Sequence, residues 1–323
     1  MIFAHQVVDF TGPTGVHWNE VPEPQVSNKV VIDVVAAGVS FADLLQTQGR
    51  YQLNLALPFT PGMDAAGVVR SAPPGAGVEA GQRVAVLMSH GCWQEVLAAG
   101  PERVLPLPEE MSFEAGAGVP LNYLTGLFAL VRRGRARVGE TLLVHGGAGG
   151  VGVAAIQLGR ALGLRTIAVT SDERKRDFAL RCGAHHAVLR EGWLATVRGL
   201  VGDQAVDIIV DPVGGDRMTD SLRSLAPEGR LLVVGFTAGE IPTVKVNRLL
   251  LSNIGVLGVA SHEFFELQPQ LVRDLWARLL ELRHTAALPD PPVEAYAFTD
   301  ARLALRAVAE RETKGKSVLS RRR

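Results

Sequence analysis

The sequence predicts an α/β fold: a doubly wound parallel sheet through the middle of the chain, with a β-rich part at its beginning. Three observations predict it. Residues 141–170 read as an apolar strand, a glycine-rich turn, an apolar-faced helix and a second strand. From about Asn122 onward, short apolar runs alternate with helical stretches, as in successive βα units. Before that point, short strand-like runs are separated by Pro/Gly clusters such as Ala72–Gly77.

In the first part, strands are expected at Lys29–Ala37, Gly67–Ser71 and Gln82–Leu87. The parallel sheet is expected to comprise Leu142–His145, Arg165–Thr170, Ala187–Leu189, Val206–Val210, Arg230–Gly235 and Ile254–Val259. Helices are expected at Gly150–Leu162 and Asp172–Cys182, the second ending at Gly183 as a C-cap. Beyond Ser261 follow a helix (Phe264–Leu282), a proline-rich turn (Leu288–Pro292), a helix (Thr299–Arg311) and a closing strand near Lys316–Ser320. That last segment returns to the character of the first part and is expected to complete it. The expected division is 1–121, 122–260 and 261–323.

Composition narrows the function classes. A chain of 323 residues is long enough for two domains, each with its own core. Apolar residues at 47% and charged residues at 20% describe an ordinary soluble globular protein. Thirty-three basic residues balance 33 acidic ones, so no long-range field favours nucleic acid or an anionic membrane. The Ser320–Arg323 tail is basic but short, and reads as a solvated end. No segment approaches 18 uninterrupted apolar residues, and the first residues lack the basic-then-apolar leader pattern. A cytoplasmic location is expected. Cys92 and Cys182 are the only cysteines, which excludes a disulfide framework and leaves two buried thiols.

Chemistry concentrates at the glycine turn. Gly147, Gly149 and Gly152 fit G-x-G-x-x-G between the strand Thr141–His145 and the helix that follows. In that setting the first glycine permits a tight turn, the second lets backbone approach a pyrophosphate, and the third allows close helix–strand packing. Amides at the helix start then face the phosphates, aided by the helix dipole. The stretch Gly147, Ala148, Gly149, Gly150, Val151 and Gly152 is therefore expected to bind a dinucleotide.

The end of the second strand selects which one. NAD sites place an acidic residue about 20 positions after the glycines, where it bonds the ribose 2′-hydroxyl. Here Thr170 and Ser171 stand at that place, followed by Asp172, Glu173, Arg174, Lys175 and Arg176. Hydroxyls do not repel a 2′-phosphate, and the cations can pair with it. Lys175 is one of only five lysines in an arginine-rich chain, and the expected cofactor is NADPH. The same run also serves as a capped, charged first helical turn. Asp211–Gly215 and the backbone near Gly235 and Phe236 close later strands, where ligands of open α/β sheets sit or where simple turns form.

No metal site is expected: no Cys-x-x-Cys exists, and the adjacent His185 and His186 point in different directions. Tyr51 and Tyr123 each stand beside a turn-like segment. A phenol there either orients a carbonyl or is simply a half-buried aromatic.

Taken together, AGVSFAD (37–43), GRY (49–51), PGMDAAGVV (61–69), LNYLT (121–125), VHGGAGGVG (144–152), DPVGG (211–215) and TKGKS (313–317) form an ordered set. The set resembles the zinc-independent quinone-oxidoreductase branch of the medium-chain dehydrogenase/reductase superfamily. The resemblance implies a GroES-like catalytic domain, built from both chain ends, around an inserted Rossmann domain. Zinc-dependent relatives carry Cys where this chain has Ser40, Gly-His-Glu where it has Gly62-Met63-Asp64, and another Cys near Asn122. The four-cysteine structural lobe has no counterpart between Val86 and Trp93.

By position, the resemblance places Asn122 and Thr125 at the nicotinamide end. It places Ser171, Lys175 and Arg190 near the 2′-phosphate, Arg190 standing where relatives have tyrosine. Gly235, Phe236 and Lys316 complete the expected cofactor contacts. Ser40, Tyr51 and Asn122 are expected to line the acceptor site, with Tyr51 bonding the carbonyl. Quinone reductases usually have Asn at the position of Ser40 and often Tyr at that of Leu45, so this pocket is less polar than theirs. The expected activity is NADPH-dependent hydride transfer to a quinone or another electron-poor conjugated carbonyl. A reductase of enoyl thioesters or α,β-unsaturated aldehydes and ketones is the neighbouring reading, and a redox-inactive nucleotide-binding sensor the distant one. A homodimer through the apolar edge strand Ile254–Val259 is expected, with no nucleic-acid or membrane partner.

Overall fold

The computed structural model describes residues 1–24, 27–202, 205–286 and 288–321; the last two arginines of the basic tail lie outside the described residues. The chain divides into two units. One comprises Met1–Leu121, Phe265–Trp276 and Asp290–Arg323; the other comprises Asn122–Phe264 and Ala277–Pro289.

The first unit opens with a hairpin, β1 (Ile2–Val7) against β2 (Val16–Val21), paired antiparallel from Ile2 opposite Val21 to Val7 opposite Val16. Then follow β3 (Val30–Val39), helix α1 (Phe41–Thr47), β4 (Asp64–Ser71), β5 (Arg83–Leu87), β6 (Val96–Ala99), β7 (Val104–Pro106) and α2 (Phe113–Gly118). Both helices arise in stretches whose apolar runs are too short to show helical periodicity, and serine announces each start. Ser40 caps α1 in a capping box with Asp43, and the Ser112 hydroxyl accepts the Ala115 amide at 3.0 Å.

The chain crosses into the second unit along α3 (Pro120–Leu127). Strands β8 (Thr141–His145), β9 (Arg165–Thr170), β10 (His186–Leu189), β11 (Val206–Asp211), β12 (Leu225–Val233) and β13 (Gly255–Gly258) alternate with helices. These are α4 (Gly150–Ala161), α5 (Glu173–Arg181), α6 (Trp193–Val201), α7 (Met218–Ser224) and α8 (Asn247–Ser252). The strands lie in the order β10-β9-β8-β11-β12-β13, every neighbouring pair parallel. This is the doubly wound order whose direction reverses between β8 and β11. β8 is buried along its whole length, as a central strand covered on both faces must be. Leu143, Ile167, Val169, Ile209 and Leu231 join Trp193 and Val197 of α6 in one core.

After α9 (Ser261–Leu267) and α10 (Gln270–Thr285) the chain adds β14 (Val293–Ala297), α11 (Ala301–Ala309) and β15 (Lys316–Ser320) to the first unit. The single helix expected over Phe264–Leu282 is two, because Pro269 has no amide to continue the ladder. The large sheet runs β14-β15-β3-β4-β5-β7, with β6 also on β3. Since β15 pairs antiparallel with β3, Ser317 opposite Val39, the last strand is an integral member of a sheet begun nearly 300 residues earlier.

Candidate active site

The glycine turn occupies the switch point. β8 delivers residues 146–149 to the start of α4, and β11 delivers the neighbouring turn at residues 212–214. A Cβ at Gly146 would lie 3.0 Å from Val213, so the two turns are in contact. Each glycine has a distinct reason to lack a side chain. A Cβ at Gly147 would press to 2.6 Å on that of Ala168 in β9. One at Gly152 would collide with the Gly146 carbonyl and lie 2.9 Å from the Gly147 Cα, so α4 begins against the turn itself. At Gly149 the nearest atom is the Gly146 oxygen at 3.5 Å, which leaves that face open.

Gly149 is also the N-cap of α4, and no side chain caps the helix. The amides of Gly150, Val151 and Gly152 stand in the first turn, at the positive end of a twelve-residue helix. A turn that fits backbone alone, a helix start with no side-chain cap and an open face together fit a pyrophosphate.

Asn122 and Thr125 of α3 are brought to this turn and its neighbourhood. The Asn122 amide packs where a Cβ of Gly150 would be, and the Thr125 hydroxyl shares a 2.8 Å hydrogen bond with Ser261. Ser261, buried at the start of α9, gave no signal in the sequence, because its contact spans 136 residues. Tyr123 is 2% exposed and its phenol donates to Gln157, which makes it a core aromatic. His145 is likewise internal: its Nε2 meets the Ser221 hydroxyl at 2.8 Å, and burial pushes its pKa down to about 4.

At the end of β9 stand the residues expected to meet a 2′-phosphate. Arg190 donates its amide to the Thr170 carbonyl at 2.8 Å, which sets it beside Ser171 at the carboxyl ends of neighbouring strands. Asp172 caps α5, accepting the Lys175 amide at 2.9 Å and the Ser171 hydroxyl at 2.8 Å. The Lys175 amide is the chief reason its carboxyl titrates below the usual range. The capping reading of this run thus holds, and the Lys175 ammonium stands 3.9 Å from the Asp172 carboxylate. Arg174 is exposed, and Arg190 pairs at the surface with Glu191 at 2.7 Å. Gly235 and Phe236 are half-buried beyond β12, Phe236 against Gly214 of the neighbouring turn.

In the first unit, Ser40 and Tyr51 are both half-buried, flanking α1. Lys316 corrects an expectation. It is 2% exposed and its ammonium lies 2.9 Å from both oxygens of Asp64, itself fully buried. An ammonium so enclosed and so paired is a structural cation, not a contact for a dinucleotide. Gly38 makes room for the pair: a Cβ there would collide with Asp64 and lie 2.6 Å from Lys316.

Zinc does not fit these residues. Ser40, Met63 and Asn122 offer no thiolate or imidazole, Asp64 already holds an ammonium, and Cys92 has its thiol pushed well up by burial. Among the described residues no group of three or more His, Cys, Asp or Glu gathers as a metal site requires.

A Rossmann sheet with an uncapped glycine turn at its switch point, in one chain with a GroES-like β unit, defines a nucleotide-dependent dehydrogenase or reductase of the medium-chain type. Residues 26–125 match the alcohol dehydrogenase GroES-like domain, and residues 150–279 match the family described as zinc-binding dehydrogenase. The chain is 37% identical over 242 residues to quinone oxidoreductase-like protein 2 of Bos taurus, covering 74% of this chain and 69% of that protein. A probable oxidoreductase from Mycobacterium abscessus superimposes with a TM-score of 0.90 at 40% identity, covering 99% of this chain and 98% of that one. The quinone oxidoreductase of Thermus thermophilus, also solved in complex with NADPH, superimposes with a TM-score of 0.83 at 33% identity, covering 98% and 99%. The chain belongs to the quinone oxidoreductase family of the medium-chain dehydrogenase/reductase superfamily.

Proposed function

We propose that this protein is an NADPH-dependent reductase that delivers hydride to a quinone or a related electron-poor conjugated carbonyl, without zinc. The observation that carries it is the uncapped, side-chain-free start of α4 at the switch point, with no acidic residue at the end of β9. The names of the relatives and the NADPH complex of the Thermus protein support the same reading. When bound, the dihydronicotinamide supplies the hydride. The α4 amides hold the pyrophosphate, and Ser171, Arg174, Lys175 and Arg190 hold the 2′-phosphate. Asn122, Thr125, Gly235 and Phe236 position the nicotinamide end. Ser40, Tyr51 and Asn122 line the acceptor site, and Tyr51 bonds the acceptor oxygen as negative charge develops on it.

Three tests follow from this assignment. The protein is expected to quench or shift NADPH fluorescence and to oxidise NADPH with quinones; an absence of both effects refutes the reading. Enone turnover exceeding quinone turnover in the same panel would favour the enoyl or enone reductase, consistent with Leu45 and Ser40 in place of more polar residues. Cofactor binding with no turnover on any acceptor would identify a sensor. Second, Lys175→Ala is expected to weaken NADPH about 10- to 100-fold while leaving NADH nearly unchanged, since a charge-assisted phosphate contact contributes about 1.5–3 kcal/mol. Equal loss for both cofactors would remove Lys175 from the 2′-phosphate site.

The third test concerns assembly. β13 ends the sheet path, and in the segment that leads to it Ile241, Val246, Leu250 and Leu251 are each at least 71% exposed. A second copy pairing along β13 covers this apolar edge. Sedimentation at micromolar concentration is expected to show twice the 34.5 kDa chain mass, and a monomer would overturn the dimer. No helix among the described residues is long and apolar enough to cross a membrane. A cytoplasmic enzyme acting on small molecules, with no nucleic-acid partner, completes the reading.

A further inference from the structure

Behind Ser40 lies a buried carboxyl that the reductase chemistry above does not use. Asp43 is fully buried, yet sits only one turn into α1. Its Oδ2 accepts the Ser40 hydroxyl at 2.5 Å and the Ser40 amide at 2.7 Å. Its Oδ1, equally buried, has no hydrogen-bond partner. Capping accounts for Oδ2 but not for this burial; a carboxylate without a cation or a second set of donors is costly to enclose.

Charge counting sharpens the point. The charged groups facing Asp43 are Lys316 of β15 and Asp64 of β4, and the Cys92 thiol lies in the same cluster. Two carboxyls share one ammonium, and both Lys316 contacts at 2.9 Å go to Asp64. Burial raises both carboxyls, and the oxygen without a hydrogen-bond partner singles out Asp43 as the acid that holds a proton below about pH 6. As a neutral acid, Asp43 donates from Oδ2 to the Ser40 oxygen, and the Ser40 hydrogen is released to point elsewhere. Ser40 is half-buried where Asp43 is fully enclosed, and its hydroxyl is bonded directly to the acid.

We propose that Asp43 is the proton-holding, positioning residue of a Ser40–Asp43 relay that protonates the acceptor oxygen during reduction. This rests on the reductase reading above. The acceptor gains two electrons as hydride from the dihydronicotinamide and one proton at oxygen. The Ser40 O–H bond breaks as the acceptor O–H bond forms. The Asp43 O–H bond breaks as the Ser40 O–H re-forms, and the remaining carboxylate regains a proton from water through the same hydroxyl. Burial pushes the Asp43 carboxyl up to about 6, against the pull of Lys316 and Ser40, so the relay is loaded below that pH and empties above it.

Asp43→Asn keeps the shape and the cap while removing the proton. In the purified full chain it is expected to lower kcat for quinone or enone about 100-fold, with the KM for NADPH unchanged. The wild-type decline of kcat as pH rises through about 6 should disappear in the variant. Independently of turnover, pH-difference infrared spectra of the cofactor-free protein should show a protonated carboxyl band that Asp43→Asn abolishes and Ser40→Ala shifts. Should Asp43→Asn fail to fold, Ser40→Ala carries the same expected loss and Ser40→Thr restores activity. An active wild type whose Asp43→Asn variant keeps its kcat, pH profile and carboxyl band overturns the relay alone. A wild type that binds NADPH and reduces no acceptor overturns the reductase reading and the relay with it.

Discussion

Replacing Gly152 by valine is expected to weaken NADPH binding by at least about 100-fold, roughly 2.8 kcal/mol. The new Cβ meets the Gly146 carbonyl and lies 2.9 Å from both its carbon and the Gly147 Cα, all backbone atoms that cannot rotate aside. The start of α4 must move away from the turn, and the amides proposed to hold the pyrophosphate move with it. Overpacking of this kind also costs about 1–3 kcal/mol of stability. Gly149→Ala separates the two effects. Its methyl meets only the Gly146 oxygen at 3.5 Å, an ordinary contact, so the fold should keep its unfolding midpoint while the cofactor loses its approach. Fluorescence titration and thermal unfolding of both variants measure this. A Gly152→Val protein that binds NADPH like the parent would show that the cofactor does not rest on this turn.

Lys316→Met is expected to lower stability by about 3–5 kcal/mol at neutral pH. The Lys316–Asp64 pair is 2% and 0% exposed in its side chains, so removing the cation leaves a carboxylate with only the Leu121 amide at 3.2 Å from another residue. The pH dependence has a definite sign. Burial already raises the Asp64 carboxyl above its ordinary range despite Lys316, and losing the ammonium raises it further. The folded variant then holds a proton that the unfolded chain releases above about pH 4, so stability falls as pH climbs through and beyond that value. Urea unfolding at acidic and neutral pH should show a smaller deficit in acid. The double variant Asp64→Asn/Lys316→Met should recover most of the loss, because a neutral pair leaves no charge stranded. A single variant as stable as the parent at neutral pH would mean that water reaches Asp64.

The glycine turn, both flanking strands and the alternation after Asn122 were legible because they are local: each is a pattern within about thirty residues, and the chemistry of backbone against phosphate is written in the missing side chains. The cap at Asp172 was legible for the same reason. The capping box at Ser40 and Asp43 is just as local, but its burial is not, and without the burial it reads as an ordinary helix start.

The chain by itself determined the class of fold, the place of the glycine turn proposed for the cofactor, and the loss of thiolate and imidazole donors. It also determined that hydroxyls stand at Thr170 and Ser171, with acidic residues beginning only at Asp172. All of these depend on residue type and short spacing. Only the tertiary structure decided that Lys316 serves Asp64 from 252 positions away, that Thr125 meets Ser261, and that Asp43 is enclosed without a cation of its own. Such pairings follow from which strands become neighbours in a sheet. The energy of a buried charge depends on what surrounds it in space, which no spacing along the chain encodes.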